Sequence, residues 1–193
     1  MLKLNQLTNP VDDWDGLYQF LLVPGLGNSS EEHWQSYWHQ QFPDWLRITQ
    51  KNWKTPDIHG WGSAIKRSLS LLDEPQKIIL IGHSFGALAS LCYSFEYPEQ
   101  IAMVVVVAPA NPAKFEVDDA LHMTPLVPVL MFASHNDVLM DWDNAEKWAH
   151  IWQAHRVDMG DAGHINAESG FGKWPWGLNY IRDYLMQTLS PSL

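Results

Sequence analysis

The chain has 193 residues, 46% of them hydrophobic, which suits one domain able to bury roughly 70% of its unfolded surface and leaves no room for a second catalytic domain. Twelve basic against 22 acidic residues give a formal charge of −10, which repels phosphate backbones and anionic membrane surfaces, so neither nucleic acid nor a membrane is an expected partner. Cys92 is the single cysteine, so no internal disulfide can form, and its place on a helix suits a buried, inert thiol.

The first twenty residues carry Asp12, Asp13 and Asp15 and lack the apolar core and cleavage site of a signal peptide. No apolar run approaches the roughly 20 residues of a membrane span, and a cytoplasmic location is expected. Residues 1–16 are read as a candidate irregular extension of the single domain. Strand-like runs then alternate with helical patterns. Tyr18 to Val23 breaks at Pro24-Gly25; Trp45 to Thr49, Lys77 to Ile81, Ile101 to Val107, Val127 to Ala133 and His155 to Met159 complete six candidate strands. Helical patterns fall near 30–41, 60–72, 85–97, 142–152 and 175–188, with Ser29 and Glu32 spaced as a capping box for the first. Continuous apolar strands between amphipathic helices predict an α/β fold: a doubly wound, mostly parallel sheet of about six strands with helices on both faces and no large cap. The segment 108–126, with Pro109, Pro112 and Pro125, reads as a short cap or site rim, or as an ordinary long connection. Ser190-Pro191-Ser192-Leu193 are expected to fray.

Chemistry concentrates at Lys77 to Leu91, KIILIGHSFGALASL, where Gly82-His83-Ser84-Phe85-Gly86 joins a strand to a helix without a spacer. This is the spelling of a nucleophile elbow. A strand reversing into a helix strains the backbone at the serine and crowds its neighbours, so glycine two residues away on either side relieves the contact. The helix that follows aims its N–H groups at the place where an oxyanion forms.

A serine hydroxyl needs a histidine base and an acid to orient that base, collected at the carboxyl ends of the strands in the order Ser, Asp or Glu, His. His33 and His39 lie on the first helix, His59 precedes the second, and all three come before the serine. His83 adjoins it and diverges from it. His122, His135, His150 and His155 fall in a proline-rich segment, beside a strand end, on a helix and at a strand start. His164 remains, in the loop Gly160 to Asn166 after the last strand, where glycines permit a tight turn. Asp137, just beyond the strand ending at Ala133, is the expected acid; Asp141 and Asp143 read as helix-starting carboxylates, and Asp158 and Asp161 lie too near His164 in sequence.

Two N–H donors should hold the oxyanion: Phe85, after the nucleophile, and Leu26, in the loop Val23 to Ser30 after the first strand. That loop lacks the spacing of a phosphate cradle. Aromatic residues near the inferred site include Phe85, Trp53, Trp61 and Trp176, with Trp142, Phe171 and Trp174 as substrate-pocket candidates, against burial in helix packing for each. A metal site from His135, Asp137 and His164 is a remote alternative. A second class of function, a binding or scaffold protein with little turnover on the same shell, is also open.

Through VPGLGNSSEEHWQSYW, IGHSFGALAS, ASHNDVLM and GDAGHINAESGFGKWPWG, the chain resembles, over nearly its whole length, the small serine hydrolases of the α/β-hydrolase superfamily typified by retinoblastoma-binding protein 9 and the YdeN-like proteins. The resemblance implies a compact domain without a large lid, no cofactor, and Ser84, Asp137 and His164 at the triad positions; it also marks Trp174-Pro175 as characteristic. Leu91-Cys92-Tyr93-Ser94-Phe95 departs from the Leu-x-Cys-x-Glu binding motif of the animal protein, so that partner is not carried over. The expected activity is hydrolysis of small carboxylic esters through an acyl-enzyme on Ser84.

Overall fold

The computed structural model describes residues 18–73 and 76–189. The candidate extension 1–16 and the C-terminal Ser190 to Leu193 lie outside them. Six strands pair in the order β2-β1-β3-β4-β5-β6, every pairing parallel. They are β1 (Tyr18–Val23), β2 (Leu46–Arg47), β3 (Lys77–His83), β4 (Ile101–Val107), β5 (Val129–Ala133) and β6 (His155–Asp158). The helices are α1 (Trp34–Gln41), α2 (Ile58–Leu69), α3 (Phe85–Glu96), α4 (Asp118–Leu121), α5 (Trp142–Ile151) and α6 (Pro175–Leu189). The fold is the expected doubly wound α/β sheet.

Period-2 alternation along the strands splits the core in two. Leu21, Val23, Ile78, Leu80, Val104 and Val106 face one cluster, where α2, α3 and α5 contribute Ile65, Leu88 and Trp148. Phe20, Leu22, Ile79, Ile81, Met103 and Val105 face the other, where α1 and α6 contribute Trp34, Trp38, Leu178 and Ile181. Each such side chain stabilises the fold by roughly 1.5–3 kcal/mol on burial, so both helical layers are fixed to the sheet. Four of the tryptophans are bonded as well as packed. Trp34, Trp38, Trp61 and Trp152 donate their indole N–H groups to the backbone carbonyls of Ile165, Lys173, Pro24 and Leu121.

Several boundaries move for physical reasons. Val127 and Pro128 stay outside β5, and the Pro128 carbonyl still accepts from Val104 N–H at 3.0 Å; proline has no N–H of its own to give a ladder. β2 shrinks to two residues at the sheet edge. The first helix begins at Trp34, not near residue 30, and the capping-box reading fails. His33 is the N-cap, accepting from Gln35 N–H on Nδ1 at 3.2 Å, while Ser29 Oγ donates to Gln35 Oε1 at 2.7 Å. His59 lies inside α2 rather than before it. Asp141 does cap α5, accepting from Asn144 N–H at 2.9 Å.

Candidate active site

Ser84 sits between β3 and α3 with φ 56° and ψ −123°. A non-glycine residue held there costs of order 1–3 kcal/mol, which the surrounding packing must sustain. Serine ahead of a helix ordinarily turns its hydroxyl onto the first-turn N–H groups. Here it makes no such bond. The flanking glycines are there because nothing larger fits. A Cβ on Gly82 would lie 2.5 Å from Ala87 Cα, and one on Gly86 would lie 2.5 Å from the Pro24 carbonyl oxygen and closer still to that of Val23.

The loop after β1 interlocks with this elbow. A Cβ on Gly25 would stand 2.9 Å from both Ser84 Cβ and the His83 carbonyl, and 3.2 Å from Phe85 N, so the loop backbone lies directly against the nucleophile. The turn is closed by Asn28 N–H to Gly25 O at 3.2 Å and tied outward by Gly27 N–H to Trp53 O at 2.8 Å, bonds that leave out the intervening Leu26 N–H. Phe85 opens α3, so its N–H is a first-turn donor with no acceptor inside the helix. The two candidate oxyanion donors thus come from adjoining segments.

Asp137 and His164 meet across the ends of β5 and β6. His164 Nδ1 lies 3.0 and 2.9 Å from the two carboxylate oxygens, with the Asp137 side chain 2% and the His164 side chain 13% exposed. Leu139 N–H also donates to Asp137 Oδ1 at 2.8 Å. A buried carboxylate in this position holds the proton on Nδ1 and leaves Nε2 as the acceptor. The two loops are stitched together by side chains the sequence reading passed over. Ser134 Oγ accepts from Ala162 N–H at 2.9 Å and Asn136 Oδ1 from Gly163 N–H at 2.6 Å. Gly160 and Gly163 adopt φ of 60° and 59°, the turn expected of them. His135 Nε2 points to Asp158 at 3.0 Å, not toward Asp137, so the three residues of the alternative metal site do not converge.

The pocket candidates divide. Trp174 is 8% exposed and stacks on Trp38 at 5.7 Å, with Phe132 at 5.2 Å, so it belongs to the core rather than to a pocket wall. Phe171 packs edge-on to it at 5.6 Å. Trp142 lies between the His135 ring, at 3.9 Å, and the Arg156 guanidinium, at 4.2 Å. The segment 108–126 contributes a short 3-10 turn, Pro112–Phe115, whose Phe115 ring meets Phe85 at 5.0 Å. It is a rim beside the elbow. Burial, with Glu96 nearby, pushes the Cys92 thiol up to about 11, which leaves it unreactive near neutral pH.

One other histidine packs beside His164, and a second packs behind that one. The His83 ring lies 4.8 Å from that of His164 and 4.7 Å from that of His33. Burial foremost holds His83 well below the usual imidazole value, helped by the charges His33 and His164 would carry. Burial, then Arg47, takes His33 down to about 3. The unfolded chain therefore binds these protons first, near 6.5, so stability is fully present above that pH and is lost as pH falls toward 3. For His33 the loss is about 2 kcal/mol by pH 5. Urea unfolding at pH 7 and pH 5 should show the drop, and His33→Asn, which keeps a capping acceptor without the ionisation, should lessen it; an equal drop in the variant would contradict this assignment.

A strained serine at a strand-to-helix elbow, with an aspartate-held histidine at the carboxyl end of one parallel sheet, defines an α/β serine hydrolase. Comparison with known proteins agrees. The serine hydrolase family model matches residues 20–183, and the chain belongs to that family. It is 46% identical to a protein of Pectobacterium atrosepticum described as a YdeN-like hydrolase, with 91% of this chain and 94% of that one covered and a TM-score of 0.85. This is a small serine hydrolase of the YdeN-like type. More distant structures share the fold: an esterase domain from Rhodothermus marinus (17% identity, 95% and 92% covered, TM-score 0.67) and Est1E of Butyrivibrio proteoclasticus with ferulic acid bound (12%, 95% and 94%, TM-score 0.71). Comparison with curated proteins gave no match.

Proposed function

We propose that this hydrolase cleaves small carboxylic esters through an acyl-enzyme on Ser84. The observation that carries the reading is the His164 ring, fixed through Nδ1 by both oxygens of the buried Asp137, in a molecule whose elbow serine does not use its hydroxyl to cap its helix. In the proposed reaction His164 Nε2 takes the proton as Ser84 Oγ attacks the ester carbonyl. The N–H groups of Leu26 and Phe85 receive the negative charge that develops on the carbonyl oxygen. The protonated His164 passes its proton to the departing alkoxide, and water, activated by the same ring, then releases the acid. The chemistry requires no cofactor.

The size of the substrate is inferred from the rim. Between β4 and β5 the chain forms only the four-residue turn Pro112–Phe115 and the four-residue α4, too little to enclose a long acyl chain. The partner in this reading is a small neutral ester, with neither nucleic acid nor membrane involved. Among the described residues no helix is long and apolar enough to cross a membrane, and a cytoplasmic location, suggested by the single cysteine, belongs to the same proposal. A series of p-nitrophenyl esters tests it. Acetate and butyrate should be turned over with higher kcat/KM than octanoate or laurate, and a preference for laurate would remove the argument from the short rim.

A further inference from the structure

We propose that His83, the residue before the nucleophile, is a positioning residue that sets the aim of His164 through its backbone. The inference rests on reading Ser84, Asp137 and His164 as a triad. His83 Nε2 lies 2.9 Å from the carbonyl oxygen of His164. A carbonyl only accepts, so Nε2 carries the proton and donates it there. One peptide further on, Trp34 Nε1–H donates to the carbonyl of Ile165, also at 2.9 Å. The two donor rings meet nearly at right angles, 6.0 Å apart.

These bonds flank an unusual residue. Ile165 has φ 46° and is fully buried. A β-branched side chain in the left-handed region is a true outlier, held only where its surroundings over-determine it. The φ and ψ of Ile165 describe how the peptide before it and the peptide after it are rotated against one another. His83 pins the first of those peptides and Trp34 the second. Freed from His83, the 164–165 peptide keeps the 3.3 Å bond from Ile165 N–H to the Ala162 carbonyl but loses the tie on its oxygen, so it can rotate to relieve Ile165, and because it is attached to His164 Cα the rotation carries the imidazole with it. The other ties on this loop are made through N–H groups, Ala162 to Ser134, Gly163 to Asn136, His164 to Ser169 Oγ at 3.2 Å and Ile165 to the Ala162 carbonyl at 3.3 Å, whereas the His83 bond holds the carbonyl of His164 itself.

His83 also suits the place chemically. The residue is 6% exposed, and its ring packs against His33, Trp34 and His164. As a neutral donor it fixes the loop without setting a second positive charge beside the imidazolium that forms during attack. A lysine or arginine could donate to the same carbonyl but would oppose that charge.

The test compares His83→Phe, which keeps a ring and loses the donor, with His83→Gln, which keeps an N–H at similar reach. Melting curves establish that each variant is folded. Three readouts follow: the rate of Ser84 labelling by a fluorophosphonate, kcat and KM on p-nitrophenyl acetate, and the downfield proton resonance of the His164–Asp137 bond in the substrate-free protein. His83→Phe should lose about tenfold or more in labelling rate and in kcat, with KM within about twofold and the downfield proton broadened or lost. His83→Gln should return to within about threefold of the native rate and keep the proton. Equal behaviour of the two variants, or a loss carried by KM alone, would overturn the proposal. Failure of the wild type to label would instead remove the triad reading. The proton resonance, read without substrate, would still decide on His83: retained in all three proteins it refutes the positioning role, and lost only in His83→Phe it supports it.

Discussion

Replacing His164 with alanine is expected to cost as much activity as replacing Ser84, and replacing both no more than either alone. Each single change should lower kcat on a p-nitrophenyl ester by about 10⁵–10⁶-fold, because the hydroxyl and its base act as one unit. Ser84 Oγ without a proton acceptor is an alcohol near neutral pH, and His164 without the hydroxyl has nothing to deprotonate except water. Asp137→Asn should cost less, about 10⁴-fold. Its amide can still occupy the position 2.9 Å from His164 Nδ1 but no longer dictates which ring nitrogen carries the proton. Steady-state rates for the four variants check the pattern. If the Ser84→Ala and His164→Ala losses multiplied in the double variant, the two residues would be acting independently and the proposed mechanism would be wrong.

Gly86→Ala is expected to damage the protein more than any other single methyl group. The added Cβ would lie 2.5 Å from the carbonyl oxygen of Pro24 and closer to that of Val23, and both obstacles are backbone at the end of β1. Backbone in a central strand cannot yield as a side-chain tip can. β1 pairs with β3 over six residues and carries part of both cores. Either the loop after β1 moves, taking Leu26 away from the elbow, or α3 tilts and takes Phe85 with it. We expect a stability loss of roughly 3 kcal/mol or more, together with loss of Ser84 labelling in whatever protein remains folded. Gly62→Ala makes the control, since a Cβ there meets nothing within 4 Å. Comparable urea midpoints for the two variants would contradict the packing argument.

Much of this arrangement was legible in the chain because its signals are local. Six apolar runs, each short and bounded by turn residues, gave six strands, and Gly82-His83-Ser84-Phe85-Gly86 marked the elbow because strand, turn and helix follow one another there without a spacer. Asp137 and His164 could be named from their places after strands, a constraint of topology rather than of distance. What escaped was set by contacts across the sequence. His33 looked like an interior residue of a helix opened by Ser29 and Glu32, yet Gln35 draws Ser29 away and His33 becomes the cap. His83 was set aside because it cannot serve as base to its own neighbour, and nothing local reveals that its ring reaches the His164 carbonyl. Ser134 and Asn136 carry no motif, and only the closeness of β5 and β6 makes them acceptors for the loop that bears His164. Trp174 could not be divided between pocket and core by composition, since stacking on Trp38 depends on where α1 and α6 meet.

The indole bonds of α1 bear on how activity is acquired during folding. The loop that carries His164 is held by donors 81, 131 and 135 positions away along the chain, at His83, Trp34 and Trp38. Contacts of that span form late, because the entropy of closing so large a loop is spent before the contact rewards it. The elbow, by contrast, is local to β3 and α3. We therefore expect a refolding chain to form its elbow before its base is aimed, with hydrolysis returning only once the last third of the chain has docked against its first helix.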